Sequence, residues 1–98
     1  MKKFLCVHTF PVGAYTYEQI CQLSVAAQHE PSVRGYRSFF NLTEGKVWCV
    51  LEAEKREAIV AWFEKMGMPY DGIWPVEIEG DRGVMEDLRP EAAVAGVS

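Results

Sequence analysis

KVWCVLEAEKREAIVAWFEKMGMP, from Lys46 to Pro69, passes from a strand pattern straight into a helix pattern. Val47, Trp48, Cys49, Val50 and Leu51 form an unbroken run of β-branched, aromatic and aliphatic side chains. Such a run marks a strand covered on both faces, and hence central in its sheet. Glu54, Lys55, Arg56 and Glu57 then open a helix whose apolar positions Ile59, Phe63 and Met66, flanked by Val60 and Trp62, recur at three- and four-residue steps. Gly67 and Pro69 end it. The remaining chain has to supply a neighbour on each edge of this strand, helices on one face and apolar cover on the other.

Working outward, Lys3 to Phe10 reads KFLCVHTF, with Phe4, Cys6, His8 and Phe10 on one strand face and Leu5, Val7 and Thr9 on the other. Both faces are mostly apolar, so this is a second central strand. Pro11 and Gly13 break it, and Thr16 followed by Gln19 matches a capping box, which predicts a helix from Tyr17 to His29 closed by Pro31. Val33 to Leu42 reads as a strand, and Asn41 to Gly45 as a short hairpin loop into the strand at Lys46. Gly72 to Glu79, with Pro75, Glu77 and Glu79 on one face, reads as an edge strand.

The order strand, helix, strand, strand, helix, strand is that of an α+β ferredoxin-like βαββαβ domain. Right-handed crossovers give a four-stranded antiparallel sheet in the order 4-1-3-2 with two helices on one face. The open face, apolar in part, predicts a homodimer. Residues 1–80 are expected to form this domain and 81–98 a C-terminal extension with no sustained period. Val84, Met85 and Leu88 would pack on a partner subunit, and Pro90 to Ser98 would fray.

With 98 residues the chain is one ordinary domain, long enough to bury a core without disulfides. No segment approaches a membrane span and the N-terminus lacks a signal-peptide core, so a cytoplasmic address and no membrane partner are expected. The net charge of -4 is unevenly placed: four basic and two acidic residues lie up to Phe40, six basic and twelve acidic beyond it. Lys2, Lys3, Arg34 and Arg37 are too few and scattered for a basic stripe, which excludes nucleic acid as a partner. Cys6, Cys21 and Cys49 all fall in apolar patterns, where reduced thiols are expected.

FLCVHTFP near the start, SFF in the second strand, WCVLEA in the third, EAI in the second helix and GMPYD after it resemble a family of small bacterial ferredoxin-like proteins. That family is catalogued as a domain of unknown function and includes a nickel-binding protein. The resemblance covers roughly Lys3 to Glu79, and its most specific parts are Trp48 to Ala53 and the Gly-x-Pro-x-Asp turn at Gly67 to Asp71. It implies a compact α+β domain dimerising through its sheet, with a divalent metal, nickel, as the cofactor. The chain departs from the family pattern, which often has Arg in place of His8 and an aromatic-x-His-Ser run in place of Tyr36, Arg37 and Ser38. A guanidinium at Arg37 offers no lone pair to a metal.

His8, mid-strand, is either a core histidine satisfied by a hydrogen bond or a ligand or acid-base group. Glu52, on the neighbouring strand, is a salt-bridging residue or, with His8, part of a metal site. Cys6 and Cys49 also lie on neighbouring strands, and plain packing is expected of them, with metal or redox work as the alternative. His8, Arg37, Tyr36 and Trp48 are the candidate ligand-binding residues. On this reading His8, Arg37 and Glu52 form one polar cluster binding a small acid. No Ser-His-Asp set, phosphate loop, HExxH helix or paired-carboxylate motif is present. The leading function is a small ligand- or metal-binding module resembling nickel-binding ferredoxin-like proteins. The alternative is a small dimeric α/β-barrel enzyme of monooxygenase or isomerase type, acting on a small organic acid or aromatic.

Overall fold

The computed structural model describes residues 1–90. Its elements run β1 (Lys2–Thr9), α1 (Tyr17–Gln28), β2 (Val33–Asn41), β3 (Lys46–Ala53), α2 (Arg56–Met66), β4 (Gly72–Pro75), β5 (Ile78–Asp81) and β6 (Val84–Asp87). The first four strands to pair form an antiparallel sheet in the order β2-β3-β1-β4, which is the expected order read from the other edge. β3 and β1 are the central strands, as their apolar runs require.

Local chemistry sets the boundaries. Thr16 caps α1 reciprocally, its hydroxyl accepting from the Gln19 backbone while the Gln19 side chain accepts from the Thr16 N–H. Gly67 ends α2 in the left-handed region, and Met68 N–H reaches back to the Phe63 carbonyl at 2.8 Å. Between β2 and β3, Gly45 has φ +67, and a side chain there would be driven into the Phe10 carbonyl. Only glycine fits that approach.

The cross-strand register decides which side chains share a face. Cys6 pairs with Cys49, Phe4 with Leu51 and His8 with Val47, and all of these point towards the helices. There they meet Ala27 of α1 and Ile59, Trp62 and Phe63 of α2, forming the core. Ile59 and Phe63, almost fully buried, each contribute about 1.5–3 kcal/mol of transfer free energy. The opposite face carries Leu5, Val7, Trp48, Val50, Phe39 and Trp74, and Phe39 is 58% exposed and Trp74 51%.

The C-terminal region differs from the sequence reading. The last strand of the sheet stops at Pro75, one residue before the Val76 N–H makes a final bond to the Lys3 carbonyl at 3.0 Å. The chain then forms a separate hairpin, β5 with β6, instead of a longer edge strand and an irregular extension. Arg82 at φ 53 and Gly83 at φ 84 are the two central residues of its turn, both in the left-handed region that a two-residue hairpin favours. Ile78, Val84 and Met85 of the hairpin are exposed. The expected fraying of 91–98 lies outside the described residues.

Candidate functional site

His8 is the sole buried polar side chain among the described residues, 1% exposed. It sits at the helix-facing side of β1, with its ring edge-on to Phe63 (centroids 4.7 Å apart) and stacked at 5.8 Å with Phe10. Its Nδ1 donates to the carbonyl oxygen of Pro69 at 2.9 Å. A carbonyl only accepts, so this bond puts a proton on Nδ1 and turns Nε2 towards the Cys49 Sγ, 3.6 Å away.

The Gly67-to-Asp71 turn is what holds this arrangement. Its middle supplies the Pro69 carbonyl, Tyr70 packs its ring on Phe63 at 5.4 Å, and Asp71 returns to the end of β1. There the Asp71 N–H donates to the Val7 carbonyl at 2.7 Å, and the carboxylate accepts from the Thr9 hydroxyl at 2.6 Å with Lys46 Nζ nearby at 3.4 Å. One five-residue turn therefore fixes the tautomer and the position of His8.

The electrostatics follow from burial and contact. Burial works to lower the His8 pKa, but the contact with Cys49, then the Pro69 carbonyl and the Cys49 and Asp71 charges, outweigh it and raise it. Cys49 moves down, chiefly through hydrogen bonding from Cys6 and, against the opposing effect of burial, through His8. Cys6 moves strongly up, through its partnership with Cys49 and its burial. Of the two thiols, ionisation is favoured at Cys49, beside the imidazole, over the more deeply buried Cys6.

A pocket of about 380 Å³ lies above this group, between α1 and the inner face of β2 and β3, partly open to solvent. His8 and Cys49 form part of its floor, and Tyr15, Leu23, Phe40 and Trp62 are among its mostly apolar walls. The volume falls at the lower end of small-molecule sites, about 300–1,000 Å³.

The polar cluster expected from the sequence does not form. Arg37 pairs with Val50 and Glu52 with Lys3, on the open face, whereas His8 faces the helices. A bulge between Gly35 and Arg37 leaves Tyr36 as the extra residue of β2. The Tyr36 hydroxyl donates to Glu79 at 2.5 Å, Lys3 Nζ lies 3.9 Å from its ring centroid, and Lys3 pairs with Glu79 at 2.6 Å. Arg37 stands near the same ring, 6.0 Å from its centroid. Trp48 is also on the open face; of the candidate ligand-binding residues Tyr36 and Arg37 reach the pocket from β2, while His8 lies on its floor beside Cys49. Sequence reasoning paired Cys6 and Cys49 only conditionally and gave Pro69 no role in holding His8. The Gly-x-Pro-x-Asp spacing was the available signal for that role.

Nickel, implied by the resemblance, finds no site among these residues. Glu52 and His8 lie on opposite sheet faces, and among the described residues no group of three or more His, Cys, Asp or Glu side chains is arranged to hold a metal ion.

The fold and pocket define a small ferredoxin-like α+β module with one face closed by helices and the other open. Residues 4–76 match the family described as nickel responsive protein SCO4226-like, and the chain belongs to that family. The crystal structure of SCO4226 from Streptomyces coelicolor A3(2) superposes with a TM-score of 0.65 at 22% identity, covering 80% of this chain and 99% of that one. The likeness is one of fold. No curated protein matches the chain. No helix among the described residues is long and apolar enough to cross a membrane.

Proposed function

We propose that this protein is a ligand-binding module that takes a small, largely apolar or aromatic molecule between α1 and the sheet, with His8 as the polar group that orients it. The observation that carries this reading is a wholly buried histidine, fixed by Pro69, on the floor of an otherwise apolar pocket of about 380 Å³. The family name ties its members to nickel. Nickel favours several nitrogen or sulfur donors in a square-planar set, and the described residues of one chain do not converge such a set. Nickel is therefore assigned no direct ligands here.

The open sheet face supports a homodimer as the working form. Leu5, Val7, Trp48, Val50, Phe39 and Trp74 make a continuous apolar band, and the β5–β6 hairpin adds exposed Ile78, Val84 and Met85. Arg34 and Arg37 on β2 and Glu52 on β3 border the band with both signs of charge.

Thermal denaturation with indole or naphthalene as probe tests the pocket. The expected result is a rise in melting temperature with probe concentration that disappears in Ser24→Trp, which fills the pocket from α1. A rise that survives this substitution, or none at all, contradicts the reading. Calorimetric titration with nickel is expected to show no tight site in the monomeric variant Trp48→Glu.

A further inference from the structure

We propose that Cys49 and Cys6 are a redox-active thiol pair: Cys49, oriented by His8, reduces a small organic hydroperoxide admitted by the pocket, and Cys6 then closes a disulfide on it. This rests on the pocket reading for access of the hydroperoxide.

Three placements carry it. Cys6 and Cys49 are direct partners across β1 and β3 and point to the same face. Opposed residues in an antiparallel ladder have Cα atoms about 4.5–5.5 Å apart, inside the roughly 4.4–6.8 Å range of disulfides. Cys49 Sγ lies 3.6 Å from His8 Nε2, the nucleophile-and-base arrangement of an activated thiol. Cys49 also lines the pocket, whereas Cys6 lies behind it and is fully buried. The reacting sulfur therefore has access and the resolving sulfur is protected. Cys21, exposed on α1, has neither partner.

The chemistry balances. His8 Nε2 takes the proton of the Cys49 thiol, and the resulting thiolate attacks the distal oxygen of the hydroperoxide, so that an S–O bond forms and the O–O bond breaks. The leaving alkoxide takes the proton from His8 Nε2 and departs as an alcohol. The Cys6 thiol then attacks the Cys49 sulfur, the S–S bond forms, and the S–O bond breaks. The hydroxyl leaves with the Cys6 proton as water. Two thiols are oxidised to one disulfide, and one hydroperoxide is reduced to alcohol and water.

The test uses the full chain with Cys21→Ser, treated with cumene hydroperoxide and followed by non-reducing intact mass and peptide mapping. The expected product has lost two hydrogens and yields a linked Cys6–Cys49 peptide. With Cys6→Ser added, the reaction stops at a Cys49 sulfenic acid that dimedone traps. His8→Asn slows the first step roughly a hundredfold. Should the His8 variant fail to fold, Ser24→Trp provides the same check, since blocking the pocket must slow cumene hydroperoxide more than hydrogen peroxide. Cys49 remaining a free thiol in folded protein overturns the proposal, as does oxidation that Ser24→Trp leaves unchanged. If indole still raises the melting temperature of protein whose Cys49 stays reduced, the thiol pair is inert and the pocket reading stands.

Discussion

His8 Nδ1 donates to the carbonyl oxygen of Pro69 across 2.9 Å, a bond between residues 61 positions apart. It joins the C-terminal end of the first strand to the turn after the second helix, and it assigns the imidazole's other nitrogen to Cys49. His8→Ala removes both the ring packed on Phe63 and the partner of a carbonyl in the core. The expected loss is about 2–4 kcal/mol, read from the urea midpoint. His8→Asn, which keeps a donor, should recover part of it.

The Lys3–Glu79–Tyr36 contact makes stability sensitive to acid. Hydrogen bonds from Lys3 and then Tyr36 hold the Glu79 carboxyl below its ordinary value of 4.5. A carboxyl lowered on folding contributes stability that is complete above its unfolded pKa and is lost as pH falls through the folded one. Glu79→Gln should therefore flatten the decline of the urea midpoint below pH 4.5 and leave its shape near neutrality unchanged. An identical acid limb in the variant would contradict this.

Two glycines with nearly the same backbone separate strain from crowding. Gly45 at φ +67 and Gly67 at φ +65 both occupy the left-handed region, but only Gly45 has a backbone atom where a Cβ would stand. Gly67→Ala should cost about 1–2 kcal/mol, from conformation alone. Gly45→Ala should cost clearly more, because the Phe10 N–H bond to the Gly45 carbonyl at 2.8 Å has to shift as well. Equal melting temperatures for the two variants would refute the comparison.

Sedimentation at micromolar concentration tests the dimer. The intact chain is expected to sediment as a dimer and Trp48→Glu, at the centre of the apolar band, as a folded monomer. A monomeric parent protein would remove the open face from the functional account without touching the pocket.

The sheet was legible because its central strands announce themselves. KFLCVHTF and KVWCVLEA are apolar on both faces, and only the order 4-1-3-2 puts both in the middle while pairing the second and third strands as a hairpin. The capping box at Thr16 was legible too, since its two hydrogen bonds are local. What alternation left open was register: a slip of one residue turns every side chain over, so the faces of His8, Arg37 and Glu52 depended on pairings set by turn geometry and by the bulge at Tyr36. The hairpin at Ile78–Asp87 was hidden because its turn uses Arg82-Gly83 in place of the usual Asn-Gly or Asp-Gly signal. The site itself needed a contact between residues 8 and 69, of which the Gly-x-Pro-x-Asp spacing marks only one end.

The most direct test of the central claim is an amide NMR titration of the protein with indole. The pocket reading predicts saturable shifts at Ser24, Gln28, Ser38 and Cys49 that vanish in Ser24→Trp, with the open-face residues Val7 and Val50 unmoved. Shifts confined to the open face, or none at the residues around His8, would contradict it.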